Sequence, residues 1–234
     1  MIRKKVLLIM EVALATEFIW YVCRWVRSFG KKTWNARITE KVNVCKSKQN
    51  ISKVMFFSNE ASLCRAHVIS EEPCLRDSCP VRYLREVESY INRAKRNLDV
   101  CMYTLTCQLL LNAIVNAHKR GVLVRIIMDH RMACNQEMQI GLFYNNGVPI
   151  RLDDLGVLMH HKFAVVDNDI VITGSVNWTM SGFFGNFEHL LVTNHCVLVQ
   201  PFVNEFNKLW KIFSESAEKS QHSVQHPVID TNSQ

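Results

Sequence analysis

Residues that could carry out phosphate chemistry are concentrated in one segment of the chain, which begins at His160. His160 and Lys162 are two residues apart at the head of a predicted strand, so their side chains leave the strand on the same face. Ser175 and Asn177 follow the next strand beside Gly174, and a glycine lets the backbone approach a ligand closely. Such donors can stabilise the charge of a phosphate while the histidine attacks phosphorus or transfers a proton.

A purely structural interpretation of this segment is also available. It treats His160-His161 as a polar strand start and residues 174–177 as a turn, which is the more common situation for any single residue of these types. It does not account for six polar or glycine positions in a fixed register around two otherwise apolar strands. The set as a whole therefore indicates a phosphate site.

The spacing of these residues, H-x-K-x4-D-x6-G-S-x-N, resembles the HKD motif of the phospholipase D superfamily. Glu188 matches the downstream acid that orients a catalytic histidine in that family. The resemblance covers about residues 51 to 214 and implies an α/β fold, a phospholipase D-like domain with a mixed β-sheet flanked by helices. The motif fits without a gap at His160, Lys162, Asp167, Gly174, Ser175 and Asn177.

The resemblance implies a metal-independent phosphodiesterase that works in two steps. His160 attacks phosphorus and forms a phosphohistidine, and a second histidine protonates the leaving oxygen and then activates water. The first imidazole must be neutral and the second protonated, so the two must have different environments. This chain has a single HKD motif and no internal repeat. We therefore expect a homodimer with a shared active site, in which each chain supplies one His160 and one Lys162.

The motif assigns a role to each further site residue. The catalytic set carried over from the family is His160, Lys162 and Asp167. Although Asp167 belongs to this set by its place in the motif, we expect its role to be structural, because the length of the strand separates it from the site. The other expected roles are phosphate binding by Lys162, Ser175 and Asn177, and fixing of the His160 tautomer by Glu188.

A second cluster of potential ligands has the pattern Cys64-x2-His67-x6-Cys74-x4-Cys79. Three thiolates and one imidazole complete a tetrahedral set, which is typical of structural rather than catalytic zinc. Spacing alone leaves buried free cysteines as the alternative, and Cys45 is a further candidate ligand. The family's zinc element, built from three cysteines and one histidine, favours structural zinc. An odd total of nine cysteines argues against a full disulfide framework, and the cluster of cysteines with a histidine indicates a metal in a reducing compartment.

The N terminus is predicted to be a membrane anchor. An apolar run of 18 residues, Val6–Cys23, lies between basic residues and is near the lower limit for crossing a bilayer. The alternatives are a cleaved secretory signal, for which residues 13–15 provide a small-residue pattern, and a buried core helix. We expect an uncleaved anchor over residues 1–27 and a basic juxtamembrane stem over residues 28–50. The charge places the body in the cytosol, and the resemblance implies single-pass insertion in the mitochondrial outer membrane.

Composition limits the classes to which the chain can belong. Among its 234 residues, 48% are hydrophobic, which excludes a disordered chain, and 8 Gly with 5 Pro exclude a collagen-like one. The net charge of +7 matches the balance within residues 24–48 alone, which hold eight Lys and Arg against one acid. The rest of the chain is near neutral, so its net charge does not mark it as a nucleic-acid binder.

Periodicity predicts alternating strands and helices over residues 51–214, followed by a disordered polar tail over residues 215–234. The predicted strands cover 53–58, 98–105, 122–128, 148–152, 161–166, 170–173 and 188–193. The predicted helices cover 81–96, 108–120, 131–146 and 197–213.

Two substrates of different classes fit the chemistry. The enzymes that this chain resembles imply two alternatives. One is an endonuclease for single-stranded RNA in Piwi-interacting RNA biogenesis, with Piwi-pathway proteins as partners. The other is a hydrolase that splits cardiolipin into phosphatidic acid and phosphatidylglycerol. We rank RNA first, because no long apolar loop near the motif looks built to receive acyl chains. A non-enzymatic, zinc-bearing membrane scaffold is a third alternative, against which the intact HKD register argues.

Aromatic residues flank the motif and bear on the same choice. They could stack on bases or contact acyl chains, although core packing is the commoner fate of such side chains. The basic stem serves both substrates, since it could attract RNA phosphates or anionic lipid head groups. The aromatic residues in question are Trp178, Phe183, Phe184 and Phe187.

Overall fold

The computed structural model describes residues 20, 24–25, 50–68, 74, 79–153 and 155–225. Met1–Gln49 and Asn50–Gln234 form separate compact units. In the first unit, Trp20, Arg24 and Trp25 are helical, and the Arg24 guanidinium lies 5.1 Å from the centre of the Trp20 ring.

Most of the predicted anchor and stem lies outside the described residues. None of the helices in the described part of the chain is both long enough and apolar enough to cross a bilayer.

The second unit contains one seven-stranded mixed sheet, in the order β1-β7-β6-β5-β2-β3-β4. β2 runs parallel to β3, and β3 to β4, whereas the remaining neighbours are antiparallel. The α/β fold class with a mixed sheet is thus confirmed. The strands are β1 Ser52–Phe57, β2 Asn97–Met102, β3 Leu123–Asp129, β4 Ile150–Asp153, β5 Lys162–Val166, β6 Ile170–Gly174 and β7 Glu188–Thr193.

Helices cover both faces of this sheet. In β5, Ala164 and Val166 pack with the apolar faces of α1 and α2, while Phe163 and Val165 pack with α6 on the other side. Burial on both faces explains why the central strands are apolar almost throughout. The helices are α1 Pro80–Asn92, α2 Gln108–Lys119, α3 His130–Cys134, α4 Glu137–Asn145, α5 Met180–Gly185 and α6 Cys196–Gln225, and Asn59–Val68 forms a 3₁₀ helix.

The structure differs from the sequence prediction mainly at element boundaries. The single helix expected over residues 131–146 is two helices, α3 and α4, because the backbone of Gln136 between them is not helical, with φ of −128° and ψ of 40°. The Asp129 carboxylate caps the start of α3 by accepting from the N–H groups of Arg131 and Met132. The final helix continues to Gln225 instead of ending at Phe213, so it extends into the tail that was predicted to be disordered.

Candidate functional site

His160 and Lys162 contact each other at the start of β5. The Nζ atom of Lys162 lies 3.1 Å from Nε2 of His160 and donates to the His160 carbonyl oxygen at 3.0 Å. The His160 side chain is exposed, whereas Lys162 is half-buried. The alternation of an extended chain thus puts an imidazole and an ammonium on one side, as predicted. An exposed imidazole with a cation beside it can meet an anionic substrate.

Tyr103, just beyond the end of β2, contacts both residues. Its ring lies 4.6 Å from the His160 ring in an edge-on arrangement, and Nζ of Lys162 lies 5.3 Å from the ring centre. Its N–H donates to the carbonyl oxygen of His161 at 2.9 Å. Sequence patterns do not predict this position of Tyr103, because the contact depends on the pairing of β2 with β5. An aromatic residue at the end of a predicted strand is a signal that could have drawn attention to it.

Ser175 and Glu188 are hydrogen-bonded across the loop after β6. The Ser175 hydroxyl donates to the Glu188 carboxylate and accepts from the N–H of His189 at 3.1 Å. Asn186 donates to the other Glu188 oxygen at 3.2 Å. In this chain the carboxylate therefore orients Ser175 and Asn186, while its expected action on the His160 tautomer stays a prediction.

Asn177 lies two residues beyond Ser175 in the loop after β6. Its Oδ1 is buried and lacks a hydrogen-bond partner among the described residues. Buried side-chain oxygens are normally bonded, and exceptions often mark functional positions. Asn177 thus remains a candidate ligand-binding residue beside Ser175.

Asp167 lies at the opposite end of β5 from His160. It begins the β5–β6 turn with φ of 55°, followed by Asn168 with φ of 54°. The Asp167 Oδ1 atom accepts from three consecutive backbone N–H groups, those of residues 95, 96 and 97, at 3.1, 2.7 and 3.1 Å. These contacts support the expected structural role of this motif residue.

We therefore predict that Asp167→Ala destabilises the protein without disabling its chemistry. Losing three charge-assisted hydrogen bonds at a left-handed turn position should lower the free energy of unfolding by roughly 2–4 kcal/mol. Asp167→Asn, which tolerates this φ and keeps one acceptor oxygen, should cost less. Urea unfolding tests both variants, and kcat is compared where they are folded. Unchanged stability with a hundredfold lower kcat would assign Asp167 a catalytic role instead.

Burial lowers the pKa of Lys162, and the negative charge of Glu188 opposes that shift. The protonated amine is the form that can stabilise phosphate oxygens. Activity should therefore be present below the pKa of Lys162 and be lost as pH rises through it.

From this we predict that Glu188→Gln moves the alkaline limb of the pH–rate profile to lower pH. Removing the carboxylate charge removes the effect that raises the Lys162 pKa. Lys162→Arg identifies the relevant limb, because a guanidinium stays protonated and should abolish it. The measurement is kcat/KM against pH with a soluble phosphodiester. A limb that stays in place or moves to higher pH in Glu188→Gln would contradict the assignment.

The aromatic residues near the motif divide into two groups. Trp178, Phe183 and Phe184 are buried in the core, with relative exposures of 1%, 0% and 2%. Phe187 is 78% exposed and adjacent to Glu188 in the chain. Only one of the four aromatic side chains considered as base-stacking partners is therefore accessible.

The four predicted metal ligands come together beside the 3₁₀ helix. The ligand atoms of Cys64, His67, Cys74 and Cys79 all lie within 4.8 Å of one another. The sulfurs of Cys64 and Cys74 are 3.9 Å apart, close to the separation of about 3.8 Å that tetrahedral Zn–S bonds of 2.3 Å impose. Nδ1 of His67 is buried and lacks a hydrogen-bond partner among the described residues. The cluster fits a tetrahedral metal ion.

The remaining cysteines are outside this cluster. Burial raises the pKa of the Cys101 and Cys107 thiols, which keeps them protonated, as expected for core thiols. Cys196 is disulfide-bonded, whereas the other six cysteines in the described part of the chain form no disulfide. Cys45 lies outside the described residues.

An apolar surface adjoins His160. Leu155, Val157 and Leu158, which shortly precede His160, are 53%, 74% and 50% exposed. Behind them is a cavity of about 470 Å³, lined by His160 and by Leu209, Ile212 and Phe213 of α6, among others. This surface was not predicted from the sequence, because its apolar residues form a short run rather than a long loop.

The known proteins to which this chain is similar are consistent with one another. Residues 87–210 match the family model described as cardiolipin synthase, PLD-like domain. A Xenopus tropicalis protein named mitochondrial cardiolipin hydrolase is 34% identical over 71% of this chain and 80% of its own length. A human protein of the same name is 30% identical over 93% of this chain and 85% of its own. Nuc from Salmonella typhimurium, a phospholipase D family member of known structure, is 29% identical with a TM-score of 0.55, over 70% of this chain and 95% of Nuc.

Proposed function

Because this chain belongs to the phospholipase D superfamily, among the mitochondrial cardiolipin hydrolases, and is a phosphodiesterase of that type, we propose that it hydrolyses cardiolipin. The products are phosphatidic acid and phosphatidylglycerol. The observation that carries the choice of lipid is the apolar surface of Leu155, Val157 and Leu158 next to His160. This reverses the order of substrates expected from the sequence.

The proposed reaction needs only side chains of this protein and water. The His160 imidazole attacks phosphorus, so that an N–P bond forms while the P–O bond to the leaving phosphatidylglycerol breaks. A protonated histidine gives its proton to that oxygen. The same histidine then takes a proton from water, whose oxygen attacks phosphorus. The N–P bond breaks, which restores His160 and releases phosphatidic acid. Lys162 stabilises the phosphate oxygens throughout, with Ser175 and Asn177 as further proposed ligands.

An enzyme that hydrolyses cardiolipin has to accommodate acyl chains, so we expect apolar surface next to its active site. A site for single-stranded RNA usually combines a basic groove with accessible aromatic platforms. Here Phe187 alone of the four flanking aromatic residues is exposed, and the residues before the nucleophile are apolar rather than basic. Both features support the lipid over RNA.

The test is to offer the full chain cardiolipin vesicles and single-stranded RNA side by side, with His160→Asn as the control. We expect phosphatidic acid to form with the parent protein and not with the variant, and RNA to remain intact. RNA cleavage that depends on His160, without lipid turnover, would overturn the proposal in favour of the endoribonuclease.

The second histidine is proposed to come from a second copy of this chain. Each chain has one HKD motif. The adjacent His161 packs against Phe163, with ring centres 5.6 Å apart, instead of facing Lys162. A two-fold axis beside the exposed His160 would bring two His160 residues to one phosphate.

Mixing the parent chain with His160→Asn tests the shared site. If an active site needs two intact copies, an equal mixture after subunit exchange should show about one quarter of the parent turnover per total chain. Independent monomers would show about one half. The second outcome, or a fully active monomer in sedimentation velocity, would exclude the shared site.

We further propose structural zinc at Cys64, His67, Cys74 and Cys79. Thiolate and imidazole ligands of this number suit zinc, and a closed set leaves no position for a substrate. Burial first, and then the neighbouring Cys74 and Cys79, raise the pKa of Cys64 to about 11, so binding must displace a proton. Metal analysis should find about one zinc per chain, and undiminished zinc in Cys74→Ser would remove Cys74 from the set.

The cellular arrangement is proposed from the same relatives together with the sequence. We propose an anchor over residues 1–27, a stem over residues 28–50, a catalytic domain over residues 51–214 and a tail over residues 215–234. The relatives' names support the mitochondrion, and the predicted anchor supports the outer membrane with the catalytic domain in the cytosol. Fractionation and protease protection of the full chain on intact mitochondria test this topology.

A further inference from the structure

We propose that the apolar cavity beside His160 binds one acyl chain of the substrate phospholipid. The cavity measures about 470 Å³, within the range of roughly 300–1,000 Å³ typical of ligand pockets. One wall is the segment before His160, including Val157 and Met159, and the other is the middle of α6, including Leu209 and Ile212. The proposal rests on the proposed lipid substrate and specifies where its apolar part lies.

The polar residues of the lining determine which kind of ligand fits. They are Asp153, His160 and His161. The Asp153 carboxylate accepts from the N–H of Leu155 at 3.0 Å, and the His161 ring packs edge-on against Phe163. The His160 imidazole is exposed and contacts Lys162. The site therefore offers an anion-binding group beside an apolar wall, which matches a phosphate joined to a hydrocarbon chain.

The same walls do not suit the sugar–phosphate chain of RNA. A ribose carries hydroxyl groups, and placing them against Leu209 and Ile212 would bury them without hydrogen-bond partners. A methylene chain has no such requirement, and each buried methylene should raise affinity by roughly threefold to fourfold. Hydrocarbon length should thus be the property of the substrate to which this cavity responds.

The test uses alkyl p-nitrophenyl phosphates, soluble phosphodiesters whose alkyl group can be methyl, butyl or octyl. With the full chain, we expect kcat/KM to rise at least tenfold from the methyl to the octyl ester. Ile212→Trp, which fills the cavity, should reduce that ratio to about threefold or less. Leu198→Trp is the matched control, because Leu198 is 50% exposed in the first turn of the same helix. It should keep the parent ratio.

A second variant guards against misfolding of Ile212→Trp. Val157 is 74% exposed, so Val157→Glu removes little packing, yet it places a charge on the cavity wall and should also lower the octyl-to-methyl ratio. Equal kcat/KM for methyl and octyl esters in the parent protein would overturn the proposal. An equal loss for all esters in Ile212→Trp, together with dissociation of a dimer in sedimentation velocity, would instead make the cavity part of a subunit interface.

The outcomes also separate this inference from the function on which it rests. A steep dependence on chain length without cardiolipin turnover would keep the cavity assignment and reject cardiolipin as the substrate. Cardiolipin turnover without any dependence on chain length would keep cardiolipin as the substrate and reject the cavity assignment.

Discussion

Replacing His160 with Asn is expected to lower cardiolipin turnover by roughly 10³–10⁴-fold, the range typical of losing a catalytic nucleophile. Asn cannot form the N–P bond, although it keeps a polar side chain of similar reach. Stability should hardly change, because the His160 side chain is exposed. The measurements are turnover of cardiolipin vesicles and urea unfolding of the same preparation.

The matched control is His195→Asn, which replaces another exposed histidine just before α6. It should leave both turnover and unfolding close to the parent values. If His160→Asn kept more than about a tenth of the parent turnover, covalent catalysis by His160 would be excluded.

Gly174→Ala is expected to damage both the fold and the site. A Cβ atom at this position would lie 2.1 Å from the carbonyl oxygen of His189 and 3.0 Å from Cα of Leu190. Both neighbours are backbone atoms of β7, so relief requires β6 and β7 to separate. We expect the free energy of unfolding to fall by at least about 3 kcal/mol. Turnover should fall as well, because the Ser175–Glu188 hydrogen bond spans the same two strands.

Gly141→Ala provides the comparison for that variant. Gly141 lies inside α4, and a Cβ there meets nothing within 4 Å. Alanine is the better helix former, so this change should be neutral or stabilise by up to about 1 kcal/mol. Urea unfolding measures both variants. A Gly174→Ala protein as stable as the parent would show that β6 and β7 can move apart at little cost.

Local patterns were sufficient for much of the fold and for the centre of the site. The side shared by His160 and Lys162 follows from strand alternation alone, and the Cys64–Cys79 cluster is predicted by ligand type and number together with the family resemblance. Asp167 could be placed away from the site because the length of a five-residue strand is predictable. These features depend on residues that are close in the sequence.

Other features depend on contacts between distant segments. Tyr103 reaches His160 only because β2 pairs with β5, and sequence periodicity does not specify strand neighbours. The break between α3 and α4 includes Gln136, whose side chain accepts from the N–H of Leu105, a contact far away along the chain. The apolar surface at Val157 was not predicted, because exposure is decided by tertiary packing. This surface is the reason that the proposed order of substrates differs from the one expected from the sequence.

The most direct test of covalent catalysis by His160 is to trap the covalent intermediate on this residue. The full chain is mixed with cardiolipin, quenched with denaturant at mildly alkaline pH during the first turnover, digested and analysed by mass spectrometry. We expect a phosphatidyl group on the peptide that contains His160, and we expect no such group on the same peptide of His160→Asn. An adduct on another residue, or full turnover with no adduct at any time point, would contradict the proposed catalysis.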